Sequence, residues 1–317
     1  MSLPLRSPET EASVGIDPFL LTALRCPDCL SLLAAAGAAL VCDACRRNFP
    51  IRHGIPSLFA ATENTLEHQQ TWDGFIGDNY EQVVDATAAI LAEVDRVALS
   101  HCGGDLLDIG CGSGRFLAQA ARAPRIGRSV GIDVSSGMLA AAAARGFERL
   151  VHGSGNHLPF ADGTFDAATS TFGSLQYVDR PRAYREIARV LQDGGVLVFD
   201  LLNFWPEYFD HAWERLRMTG RWPRGLAGEY LLRHKMRSAR QEVRLLEEAG
   251  FSLRALQSIP YLPLLRRWTK KLGSWNGYVA SRLGADTIFV AVKSPSLVER
   301  VRHSPLRSIP YSTPLEA

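Results

Sequence analysis

Long apolar runs are missing from this 317-residue sequence: the longest, around Leu32 to Val41, is alanine-rich and falls well short of the roughly 18 residues that a spanning helix needs. No membrane insertion is expected. An excess of charge of either sign is missing too, with 35 Lys+Arg against 33 Asp+Glu and a formal charge of +2. Non-specific adhesion to nucleic acid or anionic lipid is therefore not the default expectation. Residues 1–15 lack the basic-then-apolar pattern of a secretory signal, which makes the cytoplasm the expected compartment. No internal repeat is visible. Cysteine is scarce and unevenly placed: of six, Cys26, Cys29, Cys42 and Cys45 are bunched, whereas Cys102 and Cys111 stand apart. Tight paired spacing without an export signal argues for metal rather than disulfides. The remaining composition, 46% hydrophobic and 21% charged, provides for a sizeable core and excludes a wholly disordered or collagen-like chain.

The length accommodates one full α/β domain and a smaller module. Residues 1–19 read as a polar arm, 20–60 as a compact cysteine module and 61–103 as a helical cap or linker, where Phe75, Val83, Val84, Ile90, Leu91, Val94 and Val97 recur at three-to-four spacing. From 104 to 293 the pattern alternates. Strands are expected at Gly104–Ile109, Ser129–Asp133, Arg149–His152, Phe165–Ser170, Gly195–Leu201, Phe251–Gln257 and Ala285–Lys293, with helices near Arg115–Ala123, Ser136–Arg145, Arg180–Leu191 and Ala239–Ala249. Such alternation implies an α/β fold with a parallel sheet covered on both faces. Insertions are expected at about 204–238 and 258–284, and residues 294–317, with repeated Ser and Pro, read as a frayed tail.

The four bunched cysteines form Cys-x2-Cys, twelve residues, Cys-x2-Cys, so that two knuckles each present a thiolate pair to one tetrahedral ion. Zinc is the natural occupant of four sulfur ligands, with an iron–sulfur site as the alternative. Four thiolates leave no open coordination position, which favours a structural over a catalytic ion. The segment after the last cysteine, Arg46-Arg47-Asn48-Phe49-Pro50-Ile51-Arg52-His53-Gly54-Ile55-Pro56-Ser57-Leu58, resembles the short bacterial zinc-ribbon family related to the small activator subunit of tRNA and protein methyltransferases. The resemblance covers about forty residues. It implies a ribbon that docks on a methyltransferase, here fused to the α/β domain.

That domain opens with Leu106-Leu107-Asp108-Ile109-Gly110-Cys111-Gly112-Ser113-Gly114-Arg115-Phe116, a glycine loop between a buried strand and a helix. Glycines there permit a tight turn and let a ligand approach the backbone. A lone glycine loop would suit a dinucleotide as well. Its companions are the next strand's end, Gly131-Ile132-Asp133, whose carboxylate could accept both hydroxyls of a ribose, and Ser135, placed to cap the following helix. An acid two residues before the loop would gain a pyrophosphate nothing. These residues resemble the class I S-adenosylmethionine-dependent methyltransferases. Three further segments agree in order: His157-Leu158-Pro159-Phe160-Ala161-Asp162-Gly163-Thr164-Phe165-Asp166, Arg189-Val190-Leu191-Gln192-Asp193-Gly194-Gly195 and Glu247-Glu248-Ala249-Gly250-Phe251. The resemblance spans about 105–257. It implies a Rossmann-like, seven-stranded, mostly parallel sheet preceded by the zinc ribbon, with S-adenosylmethionine as cofactor. Asp108, Gly110, Gly112 and Gly114 would surround its methionine part and the ribose edge, and Asp133 would hold the ribose hydroxyls. Where the family often has Gly-Asp before the adenine, this chain has Gly153-Ser154-Gly155-Asn156, so Ser154, a weaker neutral acceptor, and Asn156 are the candidates there.

Methyl transfer from a sulfonium is an in-line displacement that needs alignment and exclusion of water first, and a base only for poor nucleophiles. Candidates beyond the fourth and fifth strands are Ser174, Gln176, Tyr177, Asp200 and Asn203; His157 and Tyr177 are the two proposed as proton acceptors. The aromatic cluster Phe204, Trp205, Tyr208, Phe209 and Trp213 suits a lid or substrate wall as well as core. Residues 214–275 carry fourteen Lys+Arg against five acids, including Arg266-Arg267-Trp268-Thr269-Lys270-Lys271. This basicity would meet an anionic substrate or RNA, or be a solvated surface. Three functions are compatible with these residues: methylation of a small molecule, favoured by near-neutral overall charge; methylation of RNA, disfavoured by the absence of an Asn-Pro-Pro-Tyr-type motif; and a cofactor-binding scaffold without transfer.

Overall fold

The computed structural model describes residues 15–63, 79–202, 238–260, 275–276 and 284–295. Helix α1 (Pro18–Ala23) begins where Asp17 accepts the N–H groups of Phe19 at 2.8 Å and Leu20 at 3.4 Å, and proline opens the helix where its missing N–H is not needed. Strands β1 (Leu33–Ala36), β2 (Ala39–Cys42), β3 (Asn48–Arg52) and β4 (Ile55–Leu58) then run antiparallel, each beside the last. The next elements are α2 (Asn79–His101), β5 (Gly104–Ile109), α3 (Arg115–Ala120), β6 (Ile126–Asp133), α4 (Ser136–Ala144), β7 (Leu150–Gly153) and β8 (Phe165–Ser170). A 3-10 turn at Ser174–Tyr177 leads to α5 (Arg180–Val190), β9 (Leu191–Leu202), α6 (Ala239–Glu248), β10 (Phe251–Pro260), β11 (Trp275–Asn276) and β12 (Gly284–Lys293).

The seven expected strands are present as β5–β10 and β12, but the expected seven-stranded, mostly parallel sheet needs correction. The strands form one twelve-stranded sheet of mixed direction, in the order β1-β2-β3-β4-β7-β6-β5-β8-β9-β12-β10-β11. Only the run from β4 to β9 is parallel; β12 lies antiparallel between β9 and β10. Four of the five extra strands join because β4 pairs in parallel with β7, placing Ser57 opposite His152 and Leu58 opposite Gly153, and the fifth, β11, pairs with β10. The cysteine module thus extends the sheet edge. Ser57 Oγ lies 3.0 Å from His152 Nδ1, and the Phe59 ring meets the His152 ring edge-on at 4.7 Å. On the other side of the joint, Arg25 N–H donates to the Pro159 carbonyl at 2.9 Å and Ala161 N–H to Ala23 at 2.8 Å.

Side-chain alternation explains why both faces are covered. Leu106, Ala167, Val198, Ile288 and Val290 pack with Val94, Val97 and Ala98 of α2 and Phe116 and Ala120 of α3. Their neighbours Leu107, Ala168, Leu197, Phe199, Phe289 and Ala291 point the other way, to Tyr184 and Ile187 of α5 and Val243 and Leu246 of α6. The second cluster also takes in Leu20, Leu24, Leu40, Phe49 and Leu58, so the cysteine module and the large sheet share one core. Among the described residues no helix is long and apolar enough to cross a membrane. The aromatic cluster after β9, Asn203, and Arg266–Lys271 lie outside the described residues.

Candidate functional site

Beyond the carboxyl ends of β5 to β8 lies a cavity of about 340 Å³, within the range of about 300–1,000 Å³ usual for small-molecule sites. Gly110, Gly112, Asp133, Ser154, Asn156, His157 and Tyr177 all contribute to its wall, as do Cys111 and Ser174. Asp108 and Gly114 stand behind it. Gly110 has φ 72°, and a Cβ there would meet the Ser174 Cβ at 2.4 Å, so only glycine fits. Gly114 begins α3 with φ 79° and faces the Phe147 ring.

Three successive loop amides are used by the neighbouring strand. Gly110 and Cys111 donate to the Ile132 carbonyl at 2.8 and 3.2 Å, and Gly112 donates to Asp133 Oδ2 at 2.8 Å. A phosphate-binding loop needs such amides free. This one instead presents a close-packed backbone beside a carboxylate. Asp133 also accepts Ser135 N–H at 2.8 Å through Oδ1, while Ser135 caps α4 by accepting Met138 N–H at 3.1 Å. Asp133 therefore shapes the loop and faces the cavity at once.

Across the cavity, Ser154 Oγ accepts Asn156 N–H at 3.2 Å. The Asn156 amide is held from both ends: Nδ2 donates to Glu63 Oε1 at 3.1 Å, and Oδ1 accepts Asp179 N–H at 2.9 Å. His157 Nδ1 lies 3.2 Å from Glu63 Oε2, and its Nε2 meets the Arg182 guanidinium. Arginine cannot accept a hydrogen bond, so Nε2 is the acceptor and the ring proton sits on Nδ1, donated to Glu63. Both nitrogens are engaged, which suits orientation rather than proton abstraction. Thr62, Glu63 and Arg182, to which no sequence motif points, also line the cavity, as does Arg115 from the end of the glycine motif. Arg115 is paired with Asp95 of α2 at 2.5 Å and reaches Thr171 Oγ1 at 3.2 Å.

At the far edge of the sheet, the Sγ atoms of Cys26, Cys29, Cys42 and Cys45 all lie within 4.8 Å of one another. Cys26 and Cys45 are 3.6 Å apart, Cys29 and Cys42 3.5 Å. Tetrahedral sulfur ligands at about 2.3 Å from zinc would stand roughly 3.8 Å apart, so the cluster fits a four-coordinate ion. The two knuckles repeat one geometry. Leu30 donates to the Cys26 carbonyl at 2.9 Å and Arg46 to the Cys42 carbonyl at 3.0 Å, and each of these fourth residues is left-handed, at φ 58° and 62°.

The glycine loop and its flanking strands fall within a recognised family model. Residues 107–199 match the methyltransferase-domain family. An uncharacterized protein of Methanocaldococcus jannaschii is 36% identical over 103 residues, covering 32% of this chain and 39% of that protein. The demethylmenaquinone methyltransferase of Corynebacterium kroppenstedtii is 43% identical over 95 residues, covering 30% of this chain and 40% of that enzyme. The chain thus spans less than half the length of these curated relatives. A solved structure from Thermotoga maritima, described as an S-adenosylmethionine-dependent methyltransferase and possible histamine N-methyltransferase, is alike at a TM-score of 0.52 and 20% identity. It matches over 71% of this chain and 99% of its own, a likeness of fold. The Rossmann-like α/β fold is therefore common to this chain and to that structure.

Two buried carboxyls support the cavity from behind. Asp200 accepts the N–H groups of Phe172 at 2.7 Å and Gly173 at 3.2 Å, holding Phe172 on the cavity wall at φ 67°. Burial and the adjacent Asp286 push its carboxyl well above the usual range. Asp108, 1% exposed, accepts from Thr169 Oγ1 at 2.9 Å, and burial pushes its carboxyl from 3.8 up to about 7. The native state then holds a proton that the unfolded chain releases near its ordinary value. This contribution to stability is fully present below about pH 4 and is lost as pH rises to about 7. Asp108→Asn keeps an oxygen for Thr169 and is expected to flatten that part of the melting-temperature profile. Thermal melts of both proteins from acid to neutral pH check it; an unchanged slope would refute the assignment to Asp108.

Proposed function

We propose that this chain is an S-adenosylmethionine-dependent methyltransferase acting on a small-molecule acceptor at O, N or C, with a structural zinc ion held by Cys26, Cys29, Cys42 and Cys45. The observation that carries the cofactor reading is the loop at Gly110–Gly112, whose amides are bonded to Ile132 and Asp133 while its backbone lines the cavity. Bound there, the cofactor would supply an electrophilic methyl group on a sulfonium. Gly110 and Gly112 would admit its methionine part to close approach, with Asp108 ordering the loop from below. Asp133, on the cavity wall, would take the ribose hydroxyls. Ser154 would meet the adenine, with Asn156 and His157 fixing the turn that carries it. Phe116, Ile132, Val134 and Met138, all on the wall, would exclude water from the reacting atoms. Tyr177 remains the candidate for moving an acceptor proton, since it too lines the cavity.

Relatives named for demethylmenaquinone favour a small-molecule acceptor over RNA. Incubation with methyl-labelled cofactor, a panel of small hydroxylated rings and ribosomal RNA tests the choice. Label is expected on a small molecule, with a yield that does not fall as salt is added. Label on RNA alone, declining steeply with salt, would replace this reading by the RNA one.

A further inference from the structure

The cysteine module contributes more to the cavity than an extension of the sheet. Asp28 lies inside the first knuckle, between Cys26 and Cys29, and its Oδ1 accepts the N–H of Ala61 at 2.7 Å. Its other oxygen is paired with Arg47, two residues beyond the last cysteine, so both knuckles orient the one carboxylate. Arg47 is itself seated over the Phe49 ring at 4.8 Å. Ala61 is followed directly by Thr62 and Glu63 on the cavity wall, and Glu63 closes a turn by donating its N–H to the Ala60 carbonyl at 3.1 Å. The Glu63 side chain, 7% exposed, then reaches Asn156 and His157. Those two residues are tied onward to Asp179 and Arg182. An unbroken series of contacts runs from the sulfur cluster to the wall that carries Ser154.

We propose that Asp28 and Glu63 are positioning residues through which the metal-holding knuckles set the cofactor wall, so that metal occupancy governs cofactor affinity. The inference rests on the S-adenosylmethionine reading of the cavity. Neither side chain touches reacting atoms; Glu63 acts through Asn156 and His157, and Asp28 acts through the backbone of Ala61. With the knuckles undone, Asp28 loses its orientation, the 60–63 turn loses its anchor, and a carboxylate is withdrawn from between an amide and an imidazole.

The full chain and four variants decide the matter, each assayed for bound zinc by elemental analysis, for folding by circular dichroism and for S-adenosylmethionine affinity by calorimetry. Asp28→Ala and Glu63→Ala are each expected to keep their zinc and to bind cofactor about tenfold more weakly, the scale of one lost hydrogen bond to a charged group. Asp28→Asn, which still offers Ala61 an oxygen, is expected to recover most of the loss. A double alanine variant should bind no worse than either single one, because the two act in series. Affinity within about twofold of wild type in a zinc-loaded Glu63→Ala protein would overturn the inference, being smaller than any such bond provides. Should Asp28→Ala shed its zinc, Glu63→Ala decides alone, since its carboxylate is not among the groups gathered at the sulfur cluster. A wild-type chain that binds no cofactor removes the functional reading and this inference together. A wild type that binds while both alanine variants bind as tightly as it does removes the inference only.

Discussion

Cys42→Ser is expected to lose its bound zinc and to melt on the order of 10 °C below wild type. A structural zinc supplies several kcal/mol to folding, and a domain of this size shifts by about 2–4 °C per kcal/mol. Cys42 is wholly buried and ends β2, the strand that pairs with β3, while β3 pairs with β4 and β4 with β7. Losing the proposed ion would therefore unfasten one edge of the twelve-stranded sheet and expose core shared with it, including Leu40, Phe49 and Leu58. A serine oxygen cannot replace a thiolate in this set without leaving three sulfur ligands around a poorly held ion. Differential scanning calorimetry with zinc analysis of the same sample checks the outcome. A metal-free variant that melts with wild type would show that the ion contributes nothing to the fold.

Asp133→Ala is expected to weaken S-adenosylmethionine binding by about a hundredfold, since two charge-assisted bonds to backbone amides vanish along with the group that faces the cavity. The amides concerned are those of Gly112 and Ser135. The melting temperature should fall by only a few degrees, because the glycine loop retains its bonds to Ile132. Asp133→Asn should lie between the two, offering one acceptor oxygen where the carboxylate offers two. Calorimetric titration of the three proteins reads the order directly. Equal affinities would move the cofactor away from Asp133 and with it the case for this cavity.

The strands and helices of the large sheet are legible in the sequence because each carries a local signal. Val-, Leu- and Ile-rich runs mark β5, β6 and β9, and Gly110, Gly112 and Gly114 punctuate the turn into α3. The four cysteines announce one cluster by spacing alone, and their sulfur atoms do converge. Strand pairing between distant segments has no such signature. Nothing in Ile55–Leu58 foretells that it lies beside β7, and so the module's share in the sheet appears only in three dimensions. Glu63 escapes a reading of the sequence for the same reason: its partners Asn156 and His157 are more than ninety positions away. By its place in the chain Asn156 reads as a spare contact for adenine, whereas both ends of its amide are held by Glu63 and Asp179. His157 reads as a base or as a loop residue beside the adenine, and the contacts of both ring nitrogens with Glu63 and Arg182 favour the second. Sequence identifies a residue type near a site; the hydrogen bonds a side chain already makes decide what it can still do.

Isothermal titration of the purified chain with S-adenosylmethionine and with S-adenosylhomocysteine tests the central claim most directly. Both compounds are predicted to bind at one site per chain, in competition with each other, in a sample that also holds one zinc ion. A folded, zinc-loaded chain that takes up neither compound would contradict the cofactor assignment.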